Sequence, residues 1–132
     1  MLETQRRDIG GVTYEVRQLD AVRGRRVFMR FAKVVAPALG ALKAAGKMAP
    51  DEALAHALGQ LVNGVTEDDL DFFCDAFAPT TCMVEGSKRP ELAKCFELHF
   101  AGRYLELLQW LAFCFEVNFG TFFQKLGPSS DS

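Results

Sequence analysis

The segment from Leu105 to Phe123, LELLQWLAFCFEVNFGTFF, limits what this chain can fold into more than any other part of it. A membrane span needs about 20 almost uninterrupted apolar residues, and Glu106, Gln109, Glu116 and Asn118 break this run too often. A helix this apolar must instead be buried on most sides, so the rest of the chain has to cover it. Counted at the helical angle from Glu106, the residues Gln109, Phe113 and Glu116 fall within about 80° of one another. Leu105, Leu107, Leu108, Trp110, Leu111, Phe115, Val117 and Phe119 fill the remaining surface. Phe113 interrupts the polar stripe. It either packs beneath a neighbouring element or stands as an exposed anchor for a partner.

The cover has to come from one ordinary domain, because the chain has 132 residues and two cores would leave roughly 65 each. Hydrophobic residues make up 49% and charged residues 24%, a globular rather than a disordered composition. There are 12 Phe against two Tyr and one Trp, enough for a packed helical core or an apolar binding surface. A single domain over residues 1–126 with a disordered tail at 127–132 is expected.

Local signals divide that domain into elements. Gly10-Gly11 is a turn signal, and Val12, Tyr14 and Val16 alternate with Thr13, Glu15 and Arg17, which predicts a β-hairpin over 6–19. Asp20 suits the N-cap of a helix over 21–46, with Val27, Phe28, Phe31, Val34, Val35, Ala38, Leu39 and Leu42 on one face. Pro37 should kink or break it near Val35-Ala36, and Gly46 should stop it. A second helix is expected over 51–62. Thr66-x-x-Asp69 imitates a capping box for a third, which should end by Pro79. Thr80 to Glu85 reads as a short strand before a Gly86-Ser87 turn. Two last helices, 91–101 and 103–119, are separate or continuous across Gly102, with Gly120 as the stop. The fold class is therefore mainly α, within α+β: about five helices, an N-terminal hairpin and one extra strand.

Charge is segregated. Residues 21–50 hold Arg23, Arg25, Arg26, Arg30, Lys33, Lys43 and Lys47 and no acid. Residues 51–75 hold Asp51, Glu52, Glu67, Asp68, Asp69, Asp71 and Asp75 and no Lys or Arg. The basic helix can pack beside the acidic ones within one molecule, or the poles can meet head to tail between subunits. A third reading is a small regulatory protein that binds nucleic acid through the basic face of 23–47. Missing aromatics and nearby acids count against it, as does the net charge of −2.

No catalytic set emerges. Cys74, Cys82, Cys95 and Cys114 lack metal-site spacing, and no apolar leader precedes them, so reduced thiols in a cytoplasmic protein are expected. Cys95 and His99 share a helix face, but nothing marks a nucleophile, and an enzyme built on them remains only a formal alternative. His56 reads as a solvent-facing helix residue. Asp68, Asp69 and Asp71 read as charges suited to a helix N-terminus rather than an acid–base dyad. No metal, cofactor or phosphate loop is implied. Phe122 and Phe123 follow Gly120 with no obvious core to join, and are expected at a contact surface.

One stretch carries a resemblance: Phe96-x-x-His99-Phe100-Ala101-Gly102-Arg103-Tyr104-Leu105-Glu106-Leu107-Leu108-x-Trp110-Leu111, then Glu116-Val117-Asn118-Phe119-Gly120. Upstream, in the same order, stand Arg23-Gly24-Arg25-Arg26 and Gly40-Ala41-Leu42, then Thr66-Glu67-Asp68-Asp69-Leu70, then Ala78-Pro79-Thr80-Thr81. Over residues 12–123 the chain resembles small tail assembly chaperones of long-tailed bacteriophages and prophages. The resemblance implies a non-enzymatic helper that binds the tape measure protein and keeps it soluble until tail-tube subunits polymerise around it. Such helpers are absent from the finished particle. Self-association is expected, as is contact with the tail-tube protein through a longer, frameshifted product. His99, Arg103 and Tyr104 read as structural, with Arg103 able to pair with Glu106 or with an acid of the third helix. The residues expected at the client surface are Phe113, Phe119, Phe122 and Phe123, with Arg26 and Arg30 for polar contacts.

Overall fold

Gly10 and Gly11 have φ values of 58° and 84°, the pair of left-handed residues that a two-residue hairpin turn requires. They join β1 (Thr4–Ile9) to β2 (Val12–Arg17), antiparallel and in register from Thr4 opposite Arg17 to Ile9 opposite Val12. In this computed structural model, residues 2–44 and 65–126 are described, with backbone alone for 35–44 and 121–126. The expected helix over 51–62, the stop at Gly46, His56 and the 127–132 tail lie outside the described residues.

The alternation in β2 survives folding: Tyr14 and Val16 are fully buried while Arg17 is exposed. β3 (Thr81–Val84) pairs antiparallel with the other edge of β2, placing Met83 opposite Tyr14 and Thr81 opposite Val16. The result is a three-stranded antiparallel sheet in the order β1-β2-β3.

Among the described residues, four α-helices accompany the sheet, so the fold is α+β. The first, α1 (Ala21–Ala44), is capped by Asp20, whose carboxylate accepts from the Arg23 amide at 2.8 Å. It runs unbroken through Pro37, where a kink or break was expected. Thr66 caps α2 (Glu67–Phe77) with both arms of the predicted capping box, Thr66 Oγ1 accepting from Asp69 N and Asp69 Oδ2 from Thr66 N. A 3₁₀ turn, Ala78–Thr80, ends it at Pro79.

The helix expected over 91–101 is instead a 3₁₀ turn, Leu92–Lys94, followed by a single α turn, α3 (Phe96–His99). Gly102, at φ 74°, separates α3 from α4 (Tyr104–Leu126). The expected stop at Gly120 is also corrected, because α4 continues for another six residues. An interior glycine costs a helix only about 1 kcal/mol, less than the burial of Phe115 and Phe119 on the same helix can offset.

As its sequence demands, α4 is the centre of the molecule. Phe115 lies in an aromatic nest, stacked on Phe31 of α1 at 4.5 Å and edge-on to Phe73 and Phe77 of α2 at 5.1 and 5.2 Å. A second nest gathers Tyr14, Phe96, Phe100 and Trp110. The Trp110 indole donates to Thr81 Oγ1 at 3.2 Å, and the Thr81 hydroxyl donates to Phe77 O at 3.0 Å. The surplus of phenylalanine is thus largely core.

Candidate functional site

The hairpin is fastened to α4 by polar contacts. Arg7 grips Glu116 with two hydrogen bonds, 2.8 and 3.1 Å, and its guanidinium lies 4.5 Å from the centre of the Phe113 ring. Gln18 donates to Val117 O, and Asn118 accepts from Leu19 N at 2.8 Å while donating to Cys114 O. Arg103 pairs with Glu106 and reaches Gly10 O at the hairpin tip. These groups hold the hairpin against α4, so Arg103 and Asn118 are structural.

Phe113 is 1% exposed and Phe119 7%, so neither belongs on a contact surface. Phe113 lies beneath Arg7 of β1, and Phe119 packs against Phe28, Phe31 and Phe115. Phe122 and Phe123 fall in the last turns of α4, where only the backbone is described. Arg26 is exposed. Arg30 is engaged internally: it pairs with Asp69 at 2.9 Å and its guanidinium lies over the Phe72 ring at 4.4 Å. The basic α1 and acidic α2 therefore lie side by side within one chain.

Cys95 and His99 do not face each other as a reactive pair. The Cys95 thiol points to Glu91 O at 3.7 Å. His99 Nε2 lies 2.6 Å from the buried Tyr14 hydroxyl. Burial first, then Arg103, lower the His99 pKa, while Glu106 and Glu85 oppose them. The imidazole is thus suited to accept from the tyrosine, whose own pKa burial raises to about 12. Among the described residues, no group of three or more His, Cys, Asp or Glu could hold a metal ion. None of their helices is long and apolar enough to cross a membrane.

Two surface features stand out among the described residues. At the corner between α3 and α4, Leu98, Tyr104 and Leu105 are 85%, 70% and 69% exposed. A concavity of about 560 Å³ adjoins Leu98, walled by Pro79 after α2 and by Ala93, Lys94 and Phe96. The sequence contained a signal for Leu98: Phe96, which opens α3, and Phe100, just after it, are four apart and pack inward, which leaves the residue between them outward. Leu105 was expected in the buried majority of α4. Its exposure shows that the outward stripe begins Leu105, Gln109 rather than Glu106, Gln109, one residue away from the predicted one. The second feature is a groove of about 760 Å³ between α1 and α2.

Neither a curated protein nor a solved structure matches the chain. A family profile does, over residues 10–130, and it describes a phage tail assembly chaperone protein, TAC. That span contains the capped helices, β2, β3 and the whole of α4. The match covers nearly the full length and takes in the 12–123 span of the resemblance, and the chain belongs to the phage tail assembly chaperone family.

Proposed function

We propose that this tail assembly chaperone acts without catalysis, in the host cytoplasm, by binding the tape measure protein and keeping it soluble until tail-tube subunits surround it. Within the family placement, the observation that carries this reading is the apolar corner of Leu98, Tyr104 and Leu105. Large apolar side chains this exposed have a desolvation free energy to gain from a partner, and a client rich in apolar helix faces would supply it. Phe122 and Phe123, in the last turns of α4, and Arg26, exposed on α1, are separate candidate contacts for the client. Self-association would let several weak sites act along one extended client. A longer frameshifted product would bring the tail-tube protein to the same client.

Co-expression with the tape measure protein of the same phage genome, followed by size exclusion with light scattering, tests the reading. Co-elution with more soluble client is the expected result. A client that precipitates while the chaperone elutes alone overturns it. The double change Leu98→Ser and Leu105→Ser should reduce co-elution without lowering Tm, because both side chains are already in water; undiminished binding removes this corner from the client surface. Phe122→Ser with Phe123→Ser tests the end of α4 in the same way.

A further inference from the structure

The groove between α1 and α2 is built unlike the apolar corner. On α1, Arg25, Arg26, Met29 and Lys33 line it, and Asp69 and Phe72 line it from α2. Asp69 already pairs with Arg30, whose guanidinium also covers Phe72. The charge of Arg30 is therefore balanced inside the molecule, while Arg25, Arg26 and Lys33 project as exposed cations. Between them Met29 is 55% exposed, an unbranched, polarizable side chain able to adapt to different partners. With Val22, also 52% exposed, these side chains follow the helical spacing 22, 25/26, 29, 33. They form a stripe of about three turns, roughly 16 Å long.

A cationic border around an apolar strip, running along a helix, is complementary to one kind of ligand: an amphipathic helix whose apolar stripe is flanked by Asp and Glu. Nucleic acid fits less well, because a phosphate backbone offers no apolar stripe to set against the exposed Met29 and Val22. We propose that this groove docks an acidic amphipathic helix of the client, so that it selects which segment is held while the apolar corner supplies general adhesion. The assignment rests on the client-holding function proposed above.

The probe is a fluorescein-labelled synthetic helix of Leu and Glu, about five turns long, titrated with the full chain and followed by anisotropy. A matched Leu/Lys helix and a short DNA duplex serve as the other arms. The Leu/Glu helix should bind, and its affinity should fall as salt rises. The double variant R26E/K33E should lose at least about tenfold in affinity with Tm unchanged. R26K/K33R should retain binding, and L98S/L105S should leave it intact. Equal binding of the Leu/Lys helix, displacement by the duplex, or no loss in R26E/K33E each overturns the groove assignment. So does a concentration-dependent dimer that R26E/K33E dissolves, since the occupant would then be a second copy.

Co-expression of R26E/K33E with the tape measure protein separates this proposal from the function beneath it. Reduced client solubility supports the groove as a client site. Full solubility overturns the groove's role and leaves the chaperone reading standing. Failure of the wild-type chain to hold the client, with the Leu/Glu helix still bound, overturns the client assignment but not the recognition chemistry.

Discussion

Asn118 does the work of two elements with one side chain. Its carbonyl accepts the Leu19 amide just before α1, and its amide donates to Cys114 O within α4. Asn118→Ala would leave the Leu19 N–H without that partner, at a cost of about 1–3 kcal/mol. Asn118→Asp keeps an acceptor and should cost less; equal losses in urea unfolding would rule out the acceptor role. His99 makes a comparable prediction in pH. Its folded pKa lies below the unfolded value, with burial as the main cause. Its contribution to stability should therefore be complete above about pH 6.5 and decline as pH falls toward the folded pKa. Tyr14 has the opposite shift, to about 12, so its contribution is present below the ordinary tyrosine range near pH 10 and is lost as pH rises through about 12. Unfolding free energies of the wild type and His99→Gln, measured from about pH 7 to pH 5, should diverge in slope. Parallel curves would show that His99 is not held neutral.

At the scale of elements, glycine chemistry separates two kinds of position. Gly10 and Gly11 both have positive φ, but a Cβ at Gly10 would run into the Glu106 carboxylate, while one at Gly11 meets nothing within 4 Å. Gly11→Ala should cost about 1–2 kcal/mol from backbone strain, and Gly10→Ala more, because the Arg103–Glu106 pair must also move. Gly120, inside α4 with open space where a Cβ would go among the described residues, should behave oppositely. Gly120→Ala is expected to stabilise by about 0.5–1 kcal/mol, read as a higher Tm. These elements also show what a sequence reveals. The hairpin, both N-caps and β3 were legible because their signals are local: paired glycines, Asp20, Thr66 with Asp69, and alternation around Tyr14. The uninterrupted α1 and the extended α4 were not, because breaker residues compete with apolar contacts that no short window contains. The candidate contact surface was least legible: Phe113 and Phe119 are as apolar as Leu98 and Leu105, and only the packing of β1 and α1 on α4 separates the buried pair from the exposed one.

For the whole molecule, the cysteines report how tightly the layers close. Cys74 and Cys114 are buried between helices and sheet, and Cys82 and Cys95 are half-buried. Burial, reinforced by Asp71 and Asp75, raises the Cys74 thiol to about 12, and burial holds Cys114 well above the ordinary thiol range. Titration of the native chain with an aromatic disulfide should therefore label Cys82 and Cys95 first, reaching Cys74 and Cys114 only on unfolding. Rapid reaction at all four would mean that α2 and α4 do not close over them. That closure joins distant parts of the chain: Arg7 binds Glu116, and Gln18 binds Val117, across separations of 109 and 99 residues. At roughly 5–20 residues per second, the ribosome needs about 5–20 seconds to make the intervening stretch. Throughout that interval the inward side of the hairpin has no α4 to rest on, and an arrested nascent chain should stay protease-sensitive until Leu126 has emerged. The newborn chain therefore passes through a state in which its aromatic residues lie uncovered until its last helix arrives.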